Sequence, residues 1–367
     1  MTPYRAADPS DPPIADVAAE TVWLEQAQPL EGPGEVSLGD SFSRLLPPDI
    51  VALFFRPAAS GPARIYQLRN VLLDAWIMVL FRGRQPIRET AYLAYQEECD
   101  LARRRPLELL PTDPGRHYII GTTRARENYY HWMVQSLPAI DWGLRLRPPG
   151  AATLALPPLQ PFQAETLALL GHAGAPRLIL GVREHYAFAS AWFAEFLTGR
   201  LPGIVSLAAA ATYARLRQAV SPAADGADAI YVARTDSANR SMANEAALAA
   251  MLERRGVRVI APGSLPVARQ LALFRGARLV IGPHGAGLSN VVACEPGAHV
   301  YELLPGSYPN HCYNRLAQTC GLHYWGDVFP GDAPDGDVAA QTWRVDLDVV
   351  ARRLDTIRQR SARANHV

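Results

Sequence analysis

The chain has 367 residues, and its 36 Lys and Arg nearly balance 35 Asp and Glu for a formal charge of +1. Hydrophobic residues make up 49% and charged residues 19%, as in a folded globular protein, and the length exceeds what one hydrophobic core usually serves. A charge this close to zero gives no global field for nucleic acid, so no nucleic-acid partner is expected.

Residues 1 to about 60 are rich in Pro, Asp and Ala with weak periodicity, and read as a loosely structured lead-in. The start, Met1-Thr2-Pro3-Tyr4-Arg5, lacks a signal-peptide pattern. The longest apolar run, Val71 to Phe81, is broken by Asp74 and too short to span a bilayer. Both point to a cytoplasmic protein, with room for peripheral contact at the inner face of the membrane. Four scattered cysteines (Cys99, Cys294, Cys312, Cys320) suit a reducing compartment, and Cys312, Cys320 and His323 lack zinc-site spacing.

From residue 61 the text changes. Arg64 to Leu68, Val71 to Leu73 and Trp76 to Phe81 predict short strands, followed by a strand at Tyr118 to Gly121 and a helix from Asn128. Next come a strand at Leu154 to Leu156, a helix at Pro161 to Leu170, a strand at Arg177 to Leu180 and an Ala-rich helix at Ser206 to Val220. After a linker near residue 223 the alternation is cleaner. Strands are expected at Ile230 to Ala233, Val257 to Ile260, Leu279 to Ile281 and His299 to Leu304. Helices fall at Asn244 to Arg255, Val267 to Phe274, Gly287 to Val292 and Cys312 to Cys320, with a last one at Val349 to Arg360. Such alternation predicts an α/β protein of parallel βαβ units: a domain over 61–222, a second over 223–330, then a loop and helix over 331–367.

The sharpest local signal is the strand Leu279-Val280-Ile281 running into Gly282-Pro283-His284-Gly285-Ala286-Gly287. A glycine-rich turn that opens a helix at the carboxyl end of a parallel strand lets backbone amides reach an anion. The glycines do not fit G-x-G-x-x-G, and no Walker lysine follows. That excludes both familiar phosphate loops and argues against a nicotinamide-dependent oxidoreductase. A turn that merely needs positive φ angles is the structural alternative. Arg234, just beyond the strand Ile230 to Ala233, with Asn239 and Arg240 close behind, offers a bidentate clamp for a diphosphate. Glu302, inside an apolar strand, offers an acceptor for both ribose hydroxyls, since a charge there otherwise needs a partner.

Taken in order, Asn128-Tyr129-Tyr130-His131-Trp132, Arg234 with Asn239-Arg240 and Asn244-Glu245, Gly282 to Asn290, and Tyr301-Glu302-Leu303-Leu304-Pro305 resemble glycosyltransferase family 61. The resemblance spans roughly residues 64 to 327. It implies a GT-B architecture of two Rossmann-like domains facing a cleft, and inverting transfer from a nucleotide sugar, a UDP-sugar favoured, with no metal or other cofactor. Characterised relatives transfer N-acetylglucosamine, xylose or arabinose and are anchored secretory-pathway proteins. Lacking such an anchor pattern, this sequence points instead to capsule, lipopolysaccharide or another surface polysaccharide, with a glycan or lipid-linked glycan as acceptor.

The expected donor-binding set is Arg234, Asn239, Arg240, Gly282, His284, Gly285, Ala286, Gly287, Asn290 and Glu302. The expected base is His131, whose ordinary pKa suits proton abstraction near neutrality. Asp141 and Glu127 are the fallback carboxylates. Asn128, as a helix cap, and the aromatic faces of Tyr129, Tyr130 and Trp132 are expected to bind acceptor. The alternative for this cluster is a structural histidine among core aromatics. Asp335-Gly336-Asp337 and Asp346-Leu347-Asp348 match the Asp-x-Asp letters of metal-dependent transferases, but loop and capping roles explain them. A catalytically inactive glycan- or nucleotide-binding protein is the other class compatible with these motifs.

Overall fold

Connection length decides how the strands pair. A turn can join only antiparallel neighbours, whereas parallel neighbours need a crossover of a dozen residues or more. The computed structural model describes residues 11–29, 34–55, 59–104, 108–199, 205–234, 241–331 and 342–364. It divides into two units: Met1–Leu30 with Ala59–Ala219, and Glu31–Ala58 with Val220–Val367.

The first unit carries a mixed sheet. Its parallel half runs Arg177–Ile179, Ala152–Leu156, His117–Ile120, His185–Ala194, which in chain order is 3-2-1-4. That is the strand order of the dinucleotide-binding fold, with a switch point between His117–Ile120 and His185–Ala194. Beyond His185–Ala194 the sheet becomes antiparallel, through Ala63–Asp74 to Val79–Arg82 on one path and to Ala18–Glu25 on another. The short strands expected between Arg64 and Phe81 fall in this antiparallel part, beside the expected parallel βαβ units. Only Ala75 to Met78 separate Ala63–Asp74 from Val79–Arg82, which is room for a turn and not for a crossover. The two short strands expected at 64–68 and 71–73 are one continuous strand, carried through Asn70 at φ 53°.

The helical segment after Asn128 is built in three pieces: Tyr129–His131, a π-helical turn at Trp132–Ser136, and Leu137–Arg145. Asn128 accepts from the amides of Tyr130 (3.0 Å) and His131 (3.3 Å), the predicted cap. Pro138 has no amide for the Val134 carbonyl one turn earlier, and the Tyr213 hydroxyl donates to that carbonyl instead (3.2 Å).

The second unit is a parallel sheet in the order Arg258–Ile260, Ala229–Val232, Leu279–Pro283, His299–Pro305, His323–Phe329, Val36–Leu38. Counting from Ala229–Val232, the first five strands lie 2-1-3-4-5, the flavodoxin-like order of doubly wound sheets. The described residues among the first 60 do not form a loose lead-in. Ala18–Glu25 pairs in the first sheet, Val36–Leu38 extends the second, and Ser41–Leu45 and Pro48–Phe55 are helical. Phe42 and Phe54 are buried edge-to-face at 4.9 Å. A three-residue strand carries too few residues to show a period, and its pairing with His323–Phe329 supplies what the local sequence lacks. The last helix, Leu347–Ala364, sinks Val350, Leu354 and Ile357 into the core of this same unit beside Tyr231, Leu248 and Trp343.

Candidate functional site

In a doubly wound sheet, ligands bind outside the carboxyl ends of the strands where the order reverses. Here that point lies between Ala229–Val232 and Leu279–Pro283, and both strands end in the residues singled out from sequence. Arg234 follows the first. Its Nη1 donates to the His284 carbonyl at 2.6 Å, and its amide donates to Glu245 Oε1 at 2.7 Å. The Tyr231 hydroxyl donates to the same oxygen at 2.9 Å. The arginine is thus laid across the turn that ends the second strand.

Close approach explains the glycines of that turn. A Cβ at Gly285 would stand 2.8 Å from Arg234 Cδ, and one at Gly287 would stand 3.0 Å from Val232 Cγ1. Gly285 has φ −179°, extended backbone open to any residue, so the alternative of a turn that merely needs positive φ does not apply. Ala286–Ala293 is a 3-10 rather than an α-helix. Being first in it, Ala286 and Gly287 have amides without an intrahelical acceptor, the donors an anion would use.

Beneath the turn lies a buried polar chain. His284 Nδ1 is 2.5 Å from Glu302 Oε1, and the Tyr324 hydroxyl donates to Glu302 Oε2 at 2.5 Å. A carboxylate oxygen this close to Nδ1 requires a proton there, which turns Nε2 to the far side of the ring. The Tyr313 hydroxyl donates to the Gly285 carbonyl at 2.6 Å, and the rings of Tyr308 and Tyr313 flank His284 at 5.4 and 5.0 Å. Burial lifts the Tyr313 and Tyr324 phenols well above their ordinary pKa, so both remain donors.

Two expected donor contacts are corrected by this geometry. Glu302 is 0% exposed with both oxygens engaged, so it orients His284 instead of accepting from ribose. Asn290 is buried, and its amide donates to Gln270 Oε1 at 2.8 Å, which ties the 3-10 segment to Val267–Gly276. Asn239 and Arg240 lie outside the described residues. Tyr313 and Tyr324 escaped sequence reading, because a tyrosine in an amphipathic helix or apolar strand looks like core until its hydroxyl's partner is known. Tyr308 sits in the loop between His299–Pro305 and Cys312–Thr319 with no motif to mark it. Glu245 was legible only through its motif.

The first unit presents the Asn128–Trp132 cluster. His131 Nδ1 donates a hydrogen bond to Gln135 Oε1 at 2.7 Å, which leaves Nε2 without a proton in the neutral ring. Burial lowers the His131 pKa and the Gln135 hydrogen bond only partly offsets this, so the ring is neutral at pH 7. Trp132 is buried with Nε1 donating to Thr166 Oγ1 at 2.9 Å, and Tyr130 is buried as well. Neither offers a free face, which corrects the expected aromatic platform. Tyr129 is half-buried against Phe162 at 5.3 Å. Asp141 is not poised as a base. It is fully buried and accepts from Thr212 (2.8 Å), His172 (2.9 Å), Arg145 and Arg215. Burial pushes its carboxyl up, yet the His172 and Thr212 hydrogen bonds and the arginine charges outweigh it, holding the group below its ordinary value. Glu127 is exposed on the rim of a pocket of about 590 Å³, at the carboxyl ends of His117–Ile120 and Ala152–Leu156.

Asp346 accepts from the amides of Asp348 and Val349, as capping predicts, while Asp335-Gly336-Asp337 falls outside the described residues. No helix among the described residues is long and apolar enough to cross a membrane.

Fold and site together define an α/β protein with an arginine laid across a glycine turn at the switch point of a parallel sheet. The Glycosyltransferase 61 family model matches residues 129–301. The chain is also similar to the EGF domain-specific O-linked N-acetylglucosamine transferase of Drosophila melanogaster, 34% identical over 121 residues, or 30% of this chain. That match covers 23% of the relative's length, so the chain spans only a minor part of it.

Proposed function

We propose that the protein is an inverting glycosyltransferase of GT-B type that moves a sugar from a nucleotide-sugar donor, a UDP-sugar in the first instance, to a hydroxyl of a glycan acceptor. The second unit holds the donor and the first unit the acceptor. The observation that carries this reading is Arg234 laid over Gly285 at the switch point. A departing nucleoside diphosphate develops negative charge, and positioned donors in a water-poor site stabilise it most. Arg234 and the amides of Ala286 and Gly287 supply such donors without a metal ion, and metal-independence is part of the proposal. His131, neutral with a bare Nε2, suits the acceptor base. The family match and a relative named for N-acetylglucosamine transfer support a sugar as the group moved. The acceptor is proposed to be a capsule, lipopolysaccharide or other surface glycan, reached from the cytoplasm.

The test is thermal stability of the protein with UDP, GDP, CMP, dTDP, ADP or NAD, each with EDTA and with Mg2+. A nucleotide at about 100 times its Kd adds about 2.7 kcal/mol and raises Tm by several degrees. One pyrimidine or guanine diphosphate should do so equally in EDTA, and Arg234→Ala should remove the shift. Stabilisation by NAD alone would overturn the proposal, and a shift that required Mg2+ would overturn its metal-free part.

A further inference from the structure

The pocket of about 590 Å³ in the first unit holds two arginines on one loop, and the structure treats them differently. Arg124 presents Nε and Nη2 to the Glu98 carboxylate in a bidentate pair, at 2.9 and 2.7 Å, so its charge is matched. Arg126 has no such partner. Its Nη1 donates to the carbonyls of Ala75 (3.4 Å) and Trp76 (3.0 Å), and it makes no ion pair among the described residues. The Nε and Nη2 edge, the fork that in Arg124 grips a carboxylate, has no acceptor among the described residues. Burial pushes the Arg126 pKa below its ordinary value, and Glu127, exposed on the rim, only partly offsets this. Half-burying a guanidinium without a counter-ion is costly, and a ligand anion removes that cost.

The loop is fixed in this position. Gln163 Nε2 donates to the Arg126 carbonyl at 2.6 Å, while Gln163 Oε1 accepts from the Gln160 amide at 2.8 Å. That pins the loop to the first turn of Pro161–Leu169. Beside the guanidinium stands Trp76, whose carbonyl holds Nη1. Its indole is 46% exposed and lines the same pocket, an unusual exposure for the largest apolar side chain. An indole face next to an open guanidinium fork matches a sugar ring that bears an anionic group. The ring's apolar C–H face packs on the indole and the anion accepts from Nε and Nη2.

We propose that this pocket binds an acidic sugar, a pyranose carrying a carboxylate or a phosphate, with its ring on Trp76 and its anion on Arg126. This rests on the reading of the first unit as the acceptor side, and it names the acceptor class.

The experiment is calorimetric titration of the protein with glucuronate, glucose 6-phosphate, glucose and inorganic phosphate. One of the two acidic sugars should bind at least about tenfold more tightly than glucose, and the tighter one tells a uronate from a sugar phosphate. Arg126→Gln should bring acidic sugars down to the affinity of glucose, and Arg126→Lys should keep part of the preference. Trp76→Ala, at an exposed position, should weaken all three sugars. Melting temperatures of the variants separate lost binding from lost fold. Equal binding of glucose and both acidic sugars, no binding of any, or phosphate alone binding as tightly as the sugars would each overturn the inference, as would an unchanged preference in Arg126→Gln. Stabilisation by nucleotide and transfer to a neutral acceptor are read separately, so the glycosyltransferase proposal can survive this inference.

Discussion

Glu302 Oε1 stands 2.5 Å from His284 Nδ1, and the carboxylate that makes this contact is wholly buried under the glycine turn. A buried carboxylate held by one histidine and one tyrosine fixes the ring proton and the ring plane together.

Glu302→Gln keeps the shape and removes the charge. One charge-assisted hydrogen bond to His284 is worth about 1.5 kcal/mol, so donor affinity or transfer should fall about tenfold. Titration of the nucleotide and initial rates at saturating donor check this. Unchanged values for both would make the pair purely structural.

Gly285→Ala places a methyl 2.8 Å from Arg234 Cδ while its φ of −179° suits alanine. The arginine must move, so nucleotide affinity should drop about tenfold with a Tm change of only a degree or two. A large Tm loss at unchanged affinity would show that Arg234 serves packing alone.

His131 should govern the acid limb of kcat/KM. Burial lowers its pKa below 6.5, so the limb should fall below that value, with activity rising as the ring loses its proton. His131→Ala should cost about 10²–10⁴-fold in transfer and leave nucleotide stabilisation intact. Retained transfer in this variant would remove His131 from the base role.

Asp141→Asn tests the opposite assignment. Its carboxylate gathers Thr212, His172, Arg145 and Arg215 in a buried cluster, and losing its charge there should cost about 3 kcal/mol, or a Tm drop of about 6–12 °C. The kcat of folded protein, measured well below the new Tm, should be unchanged. A kcat loss without a Tm loss would restore Asp141 as a base candidate.

His299 gives the stability curve an acid shoulder. Burial first, then the charges of His323, Arg360 and Arg278, lower its pKa to about 4. Between about 6.5 and about 4 the unfolded chain binds the proton and the folded one does not, so stability falls as pH drops through this window. The loss is about 2 kcal/mol once screening by nearby solvent is allowed for. Denaturant midpoints at pH 7 and pH 4.5 measure it, and His299→Gln should flatten the difference.

Much of the second unit was legible because its strands are buried on both faces and read as continuous apolar runs, as in Leu279–Pro283 and His299–Pro305. The closing of Glu245–Arg254 by Gly256 at φ 74° and the Asn128 cap were equally local. The central strand His185–Ala194 went unread. Its aromatics Tyr186, Phe188, Trp192 and Phe193 suit a strand, but the alanines between them break the run of strand formers, and pairing on both sides holds it.

The sequence by itself determined the glycine turn, Arg234 at a strand end, the histidine after its cap and the family these motifs resemble, because each is a pattern of near neighbours. Only tertiary structure decided that Glu302 and Asn290 are buried supports, that Asp141 anchors a core and that Arg126 has no carboxylate partner among the described residues. The reason is that a polar side chain's role follows from what faces it, and His284 and Glu302 meet across 18 residues of chain. Spacing along the sequence records the turn, but the partner comes from another strand and is fixed only when the sheet assembles.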